Sequence, residues 1–267
     1  MRRAAIALAV AAASVGLVIV PASDARAGGD RAGRVLIFAL PDVTWADVDG
    51  VELPNLERFF NHAAIADLSA RASPDRRTTE LGDGYVTLGA GTRAIGDGGA
   101  TDGEGFGVDE PFGIDTAGGV FRRRTGRSVE RGIVQLGVAE IEDRNAGLLL
   151  DAEPGALGEA LDDAGYSRAV IGNADGVEPA GVLPEYRRHL VSALMDERGV
   201  VPGGRVDAAL LEEHARAPFG LRLDHEAVGA AFEAAWTPKS VVLVEASDIV
   251  RADTYRALAS RPGGTFS

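Results

Sequence analysis

Arg34-Val35-Leu36-Ile37-Phe38-Ala39-Leu40-Pro41-Asp42 is apolar at every position from Val35 to Leu40 and then stops at Pro-Asp. A run without polar alternation predicts a strand buried on both faces, as in a parallel sheet lying under helices. Two more runs repeat the pattern: Arg168 to Asn173, ending in a turn, and Ser240 to Ala246 (SVVLVEA), ending at Ser247-Asp248. Ile65 to Ala70 reads as a shorter strand. Between them lie helical periods. Leu53–Ala64 places Leu56, Phe59, Phe60 and Ala63 on one face, Glu153–Ala164 is closed by Gly165, Asp224–Trp236 follows, and Arg251–Ala259 begins one more helix. Strands alternating with helices predict an α/β fold, a mostly parallel sheet with helices on both faces. Residues 96–119 are rich in glycine and acid without an apolar period and read as a flexible insertion, or else as an acidic cation-binding loop around Asp97, Asp102, Glu104 and Asp109 whose spacing matches no calcium-loop template, and 186–217 reads as a small inserted cap.

The 267 residues are 46% hydrophobic and 25% charged, a globular balance. Lys+Arg 27 against Asp+Glu 40 gives −13, which argues against nucleic acid as a partner, because binding phosphate backbones needs a basic face. With no cysteine, thiolate nucleophiles, thiolate zinc sites and disulfides are excluded. A single lysine, Lys239, argues against lysine chemistry. At the N-terminus, Met1-Arg2-Arg3, an apolar run from Ala4 to Val20 and Ala25-Arg26-Ala27 have the three parts of a secretory signal. The expectation is residues 1–27 as signal and 28–267 as the folded domain, in a secreted or bacterial-envelope location. A membrane is a partner only if the segment stays uncleaved.

Ligands of open parallel sheets bind beyond the carboxyl ends of the strands. Asp42 and Asp248 each follow such a strand, where a carboxylate is rigidly placed for a metal or simply caps the next helix. The densest candidate is Arg76-Arg77-Thr78-Thr79-Glu80-Leu81-Gly82-Asp83-Gly84, which runs on to Leu88-Gly89-Ala90-Gly91. Arginine forks match phosphate oxygens, helix N-terminal amides favour negative charge, and a threonine hydroxyl becomes a nucleophile when a metal lowers its pKa. The bland reading of the same stretch is a tight turn with close helix packing through Gly89 and Gly91. Asp224-His225 reads as a helix cap with a solvated imidazole, and His189 and His214 show no ligand spacing.

Four stretches, in order, resemble the alkaline phosphatase superfamily of phosphatases, phosphomutases, phosphodiesterases and sulfatases: VLIFALPD, LPNLERFFNHAA, TTELG…LGAG and GALGEALDDAGYSRAVIGNAD. The resemblance implies an alkaline-phosphatase-like fold, with Asp42 as a metal ligand and Thr79 (or Thr78) as nucleophile. Arg76 and Arg77 would steady the phosphate charge. Asp248 resembles the later metal-binding aspartate, but Ala252 stands where the family has a histidine, with Asp253 beside it. The implied cofactor is a divalent metal, zinc or manganese, if the protein is active. The expected function is a metal-dependent hydrolase of phosphate esters. The alternatives are a catalytically degenerate binding domain or a transferase of phospho-groups onto envelope glycans. The family also has a later strand ending in Asp-His, which the residues up to Ser267 do not include, so the expectation is a fragment or a member without its full metal centre.

Overall fold

A computed structural model describes residues 33–64, 80–98, 101–148, 151–177 and 185–260. All the described residues belong to one compact unit, Gly33–Ser267. The expected signal, the strand at Ile65–Ala70 and the four residues Arg76, Arg77, Thr78 and Thr79 lie outside them.

The central sheet has four strands: β1 (Arg34–Ala39), β2 (Ser167–Ile171), β3 (Gly203–Arg205) and β4 (Ser240–Glu245). Their order is β1-β4-β2-β3 and every pairing is parallel, with Arg34 opposite Ser240, Ser240 opposite Ser167, and Ala169 opposite Gly203. The fold is therefore α/β with a parallel sheet. Strand β4 is buried at every position. Val241 and Leu243 face one core, and Val242 and Val244 face another. That two-sided burial is why the strand carries no polar alternation.

The first core joins the sheet to α1 (Leu81–Ala90), α2 (Ala156–Asp163) and the short α3 (Val191–Leu194). The second lies under α4 (His225–Ala235), whose Val228, Ala231 and Phe232 pack on Ile171 and Val244. Asp224 caps α4 as its position predicts, its Oδ1 accepting from the Glu226 and Ala227 amides at 2.9 and 3.1 Å. The last helix, α5 (Ser247–Ala259), leaves the carboxyl end of β4 directly.

Three sequence expectations are corrected. Strand β1 is not buried on both faces: it lies at a sheet edge among the described residues, and Val35, Leu36 and Phe38 are 48%, 46% and 51% exposed. Its composition matches that of a central strand, and composition carries no information on lateral position. Residues 96–119 are not a mobile insertion over their described part. Gly105–Gly107 pairs antiparallel with Ile133–Gln135, which pairs with Val200–Val201, and Phe106 is buried in the first core. The glycines make this possible, since a β-carbon on Gly105 would fall 2.3 Å from Val191 Cγ2. Nor does 186–217 stand apart as a cap, because it supplies α3, the strand Val200–Val201 and sheet strand β3. Among the described residues no helix is long and apolar enough to cross a membrane.

Candidate functional site

A cavity of about 280 Å³ opens beyond the carboxyl ends of the sheet strands, where ligands of open parallel sheets bind. Asp42, from the turn after β1, lines it together with Glu80, Leu81 and Gly82 at the start of α1, Asp102, Arg187, His189, and Asp253 from α5. A larger space of about 550 Å³ lies against alanines of α4 and β3, and no acid or imidazole lines it. Of these two, only the smaller cavity brings acids, an arginine and an imidazole together.

Helix α1 is anchored at its first turn. Asp83 is fully buried, and its carboxylate accepts from the Glu80 amide at 3.1 Å and the Gly96 amide at 2.7 Å. Gly89 lets the helix press on α3, because a β-carbon there would meet the Ser192 carbonyl at 2.4 Å. Gly91 closes the helix at φ 65°. Asp42 also has a left-handed backbone, φ 59°, and an exposed side chain.

Asp102 is the most unusual group in the cavity. Its side chain is 1% exposed, and neither carboxylate oxygen has a hydrogen-bond partner. Bare backbone surrounds it: a β-carbon on Gly82 or Gly96 would fall 2.0 or 2.3 Å from Oδ2. His189 brings Nε2 to 3.4 Å from Oδ1, and its Nδ1 is buried without a hydrogen-bond partner. Asp97 stands beside Asp102. Burial works against its charge, yet hydrogen bonds from the Thr101 hydroxyl and from the Asp102 and Thr101 amides hold its carboxyl below the ordinary value.

The two segments that carry this pair are sewn together. Gln135 Nε2 donates to the Asp102 carbonyl at 2.8 Å and to Ser192 Oγ at 3.1 Å. Arg188, beside His189, is buried and donates to Asp175 at 2.8 Å and Glu110 at 2.7 Å, with its guanidinium 4.4 Å from the Phe106 ring centroid. Burial disfavours its charge, but Asp175 and Glu110 outweigh that and raise its pKa. The imidazole is thus held by a rigid frame rather than a loose loop.

Behind the cavity, Glu245 ends β4 and is buried. Tyr85 Oη and Ser247 Oγ each donate to its carboxyl at 2.6 Å. Burial raises its pKa against those hydrogen bonds and the nearby His189. Burial and the Glu245 charge likewise push the Tyr85 phenol up.

Of the acids read from the sequence, Asp42 and Asp253 line the one cavity. Asp248 is taken up elsewhere: its carboxylate accepts from the Leu223 amide at 3.0 Å and pairs with buried Arg251. Asp253 pairs with Arg256 at 2.7 Å. Among the described residues no three Asp, Glu, His or Cys groups converge closely enough to hold an ion. The ligand set Asp42, Asp248 and Asp253 therefore does not fit a divalent metal. Sequence spacing set Asp102 among the loop acids Asp97, Asp102, Glu104 and Asp109 but missed its meeting with His189, which lies far away in the chain; the glycines at 82, 96 and 103 were the available signal, since backbone packs there against the buried carboxylate and imidazole. No family model, curated protein or solved structure matches the chain.

Proposed function

We propose that the chain is an extracytoplasmic hydrolase of phosphate esters, of phosphatase or phosphodiesterase type, with Thr79 as nucleophile. The observation that carries this reading is the company kept in one cavity: Asp42, at the turn after β1, and Glu80, the residue bonded to Thr79. In the reaction, Thr79 Oγ bonds to phosphorus, the ester P–O bond breaks, and the alcohol leaves with the proton. Water then cleaves the phosphothreonine. Arginine forks suit the non-bridging oxygens, a role for Arg76 or Arg77, while Arg187 donates to Glu185. No step is taken through a metal ion, because the implied ligand set does not fit.

Release of p-nitrophenol from mono- and diester substrates, with zinc or manganese and with EDTA, tests the reading. Thr79→Ala is expected to lower the rate by at least about 100-fold, the usual scale for removing a nucleophile being larger, and Thr78→Ala to leave most of it. Equal rates for Thr79→Ala and wild type overturn the assignment of Thr79. Rates at background for every substrate overturn the hydrolase and favour a second reading, a binding domain that keeps the fold without catalysis. The engagement of Asp248 and Asp253 by arginines supports that second reading. Transfer of a phospho-group to an envelope glycan differs from hydrolysis only in the acceptor.

A further inference from the structure

We propose that the groove between strand β3 and helix α4 takes up an extended peptide, which adds to the free edge of the sheet and sets a carboxylate at its end on Arg205. The groove shares no lining residue with the cavity that Asp42 lines, and the proposal stands independently of the hydrolase reading.

Among the described residues β3 ends the sheet. It pairs with β2 through Ala169–Gly203, Val170–Gly204 and Ile171–Arg205, and no strand lies on its other side. A strand paired on one side alone presents a row of unpaired N–H and C=O groups, which an added strand satisfies. Such an edge is commonly blunted by a helix or by charged side chains laid over it. Helix α4 does run along the groove, but it turns only methyl groups to it. Ala227, Ala230, Ala231, Ala234 and Ala235 repeat at the spacing of one helix face. On the strand side Gly203 and Gly204 have no side chain to fill the gap. The space left is about 550 Å³, inside the roughly 300–1,000 Å³ range of ligand sites.

Arg205 ends β3 and lines the groove with a half-exposed side chain. Its described ion partner is Asp207 at 4.0 Å, beyond hydrogen-bond length, so the guanidinium fork retains donors for a carboxylate. The other arginine of the groove, Arg168, is buried and donates to Asp162 and to the Leu194 and Val200 carbonyls. No acid lines the groove, although the chain as a whole carries −13. Methyl walls, an open backbone edge and one accessible cation together fit a peptide of small residues with a carboxylate end. An acyl chain with a carboxylate would meet the walls and Arg205 but leave the backbone edge unpaired.

The test titrates the ¹⁵N-labelled full chain with a pool of short peptides of alanine, valine, serine and threonine with free carboxyl ends, up to about 1 mM, the weak end of specific affinity. Saturable amide shifts are expected at Gly203, Gly204 and Arg205 and along α4. Arg205→Gln should weaken binding at least about 10-fold, the scale of one hydrogen bond to a charged group. Amidating the peptides should cost wild type as much and Arg205→Gln nothing further. Methylating every second peptide nitrogen should also weaken binding at least about 10-fold, since it removes the donors of the added strand. Ala234→Phe puts a ring into the groove from an exposed position and should abolish binding, while Glu233→Phe, exposed on the same helix and outside the groove, should bind as wild type. Circular dichroism checks that both variants fold. Absence of saturable shifts at β3 and α4, or undiminished binding by Ala234→Phe or by the methylated pool, overturns the proposal. Displacement of the pool by decanoate at lower concentration assigns the groove to acyl ligands and overturns it too. Failure of phosphatase assays leaves these readouts untouched.

Discussion

Replacing Tyr85 by phenylalanine removes one oxygen and keeps the ring. That oxygen donates at 2.6 Å to Glu245, so it ties the first turns of α1 to the carboxyl end of the central strand. Both residues are buried, so no water replaces the lost donor. A buried acceptor stripped of a partner costs about 1–3 kcal/mol, and Ser247 still donates to the other carboxyl oxygen, which sets the expectation near 2 kcal/mol. For a folded unit of this size that is a fall in Tm of about 4–8 °C.

The loss should also depend on pH. Burial raises the Glu245 carboxyl above its ordinary value of 4.5, while the Tyr85 hydrogen bond partly opposes the rise. A carboxyl whose folded value is raised contributes stability that is complete below the unfolded value and lost as pH rises through the folded one. Without the phenol the rise is larger, so the cost of Tyr85→Phe grows from pH 5 to pH 8. Urea unfolding of wild type, Tyr85→Phe, Glu245→Gln and the double variant gives the coupling, expected to be at least about 1 kcal/mol. A cost below about 0.5 kcal/mol, typical of surface changes, equal at both pH values and with no coupling, refutes the reasoning.

Three further outcomes are expected. Asp97→Asn should destabilise the protein at pH 7, and the difference should shrink toward pH 3. A carboxyl held below its ordinary 3.8 contributes stability above that value and loses it as pH falls through the folded one, which urea midpoints across pH would show. Gly89→Ala gains about 1 kcal/mol of helix propensity, yet its β-carbon would lie 2.4 Å from the Ser192 carbonyl. A net loss of about 1–3 kcal/mol is expected by thermal melting, as for other overpacked contacts. Arg188→Met leaves Asp175 and Glu110 without their cation and should cost about 3–5 kcal/mol in urea unfolding.

The sheet was legible where burial is two-sided. Val241 to Val244 must satisfy two cores at once, and a continuous apolar run is the direct record of that demand. The same logic misplaced β1, since Val35 and Phe38 have the same chemistry at an edge as at a centre. The antiparallel sheet escaped notice because its strands are two or three residues long, too short for a period to register. Asp42 was legible as a strand-end carboxylate. Asp102 was legible only as one acid among several in a glycine-rich loop, and its pairing with His189 was not, because their meeting depends on the antiparallel sheet and on Arg188 holding two distant segments together. Asp248, read from position alone, turned out to serve the Leu223 amide and Arg251.

The backbone at Asp42 has a consequence for how this protein can be altered. At φ 59° a side chain crowds the chain, and a glycine would relieve the strain. Asp42→Gly would therefore ease the turn while stripping the cavity of a carboxylate. Any redesign ranked on thermal robustness alone would favour that exchange and report an improvement. Position 42 is where hardiness and chemistry pull in opposite directions, and an engineered chain that keeps its aspartate there has to find its extra stability elsewhere.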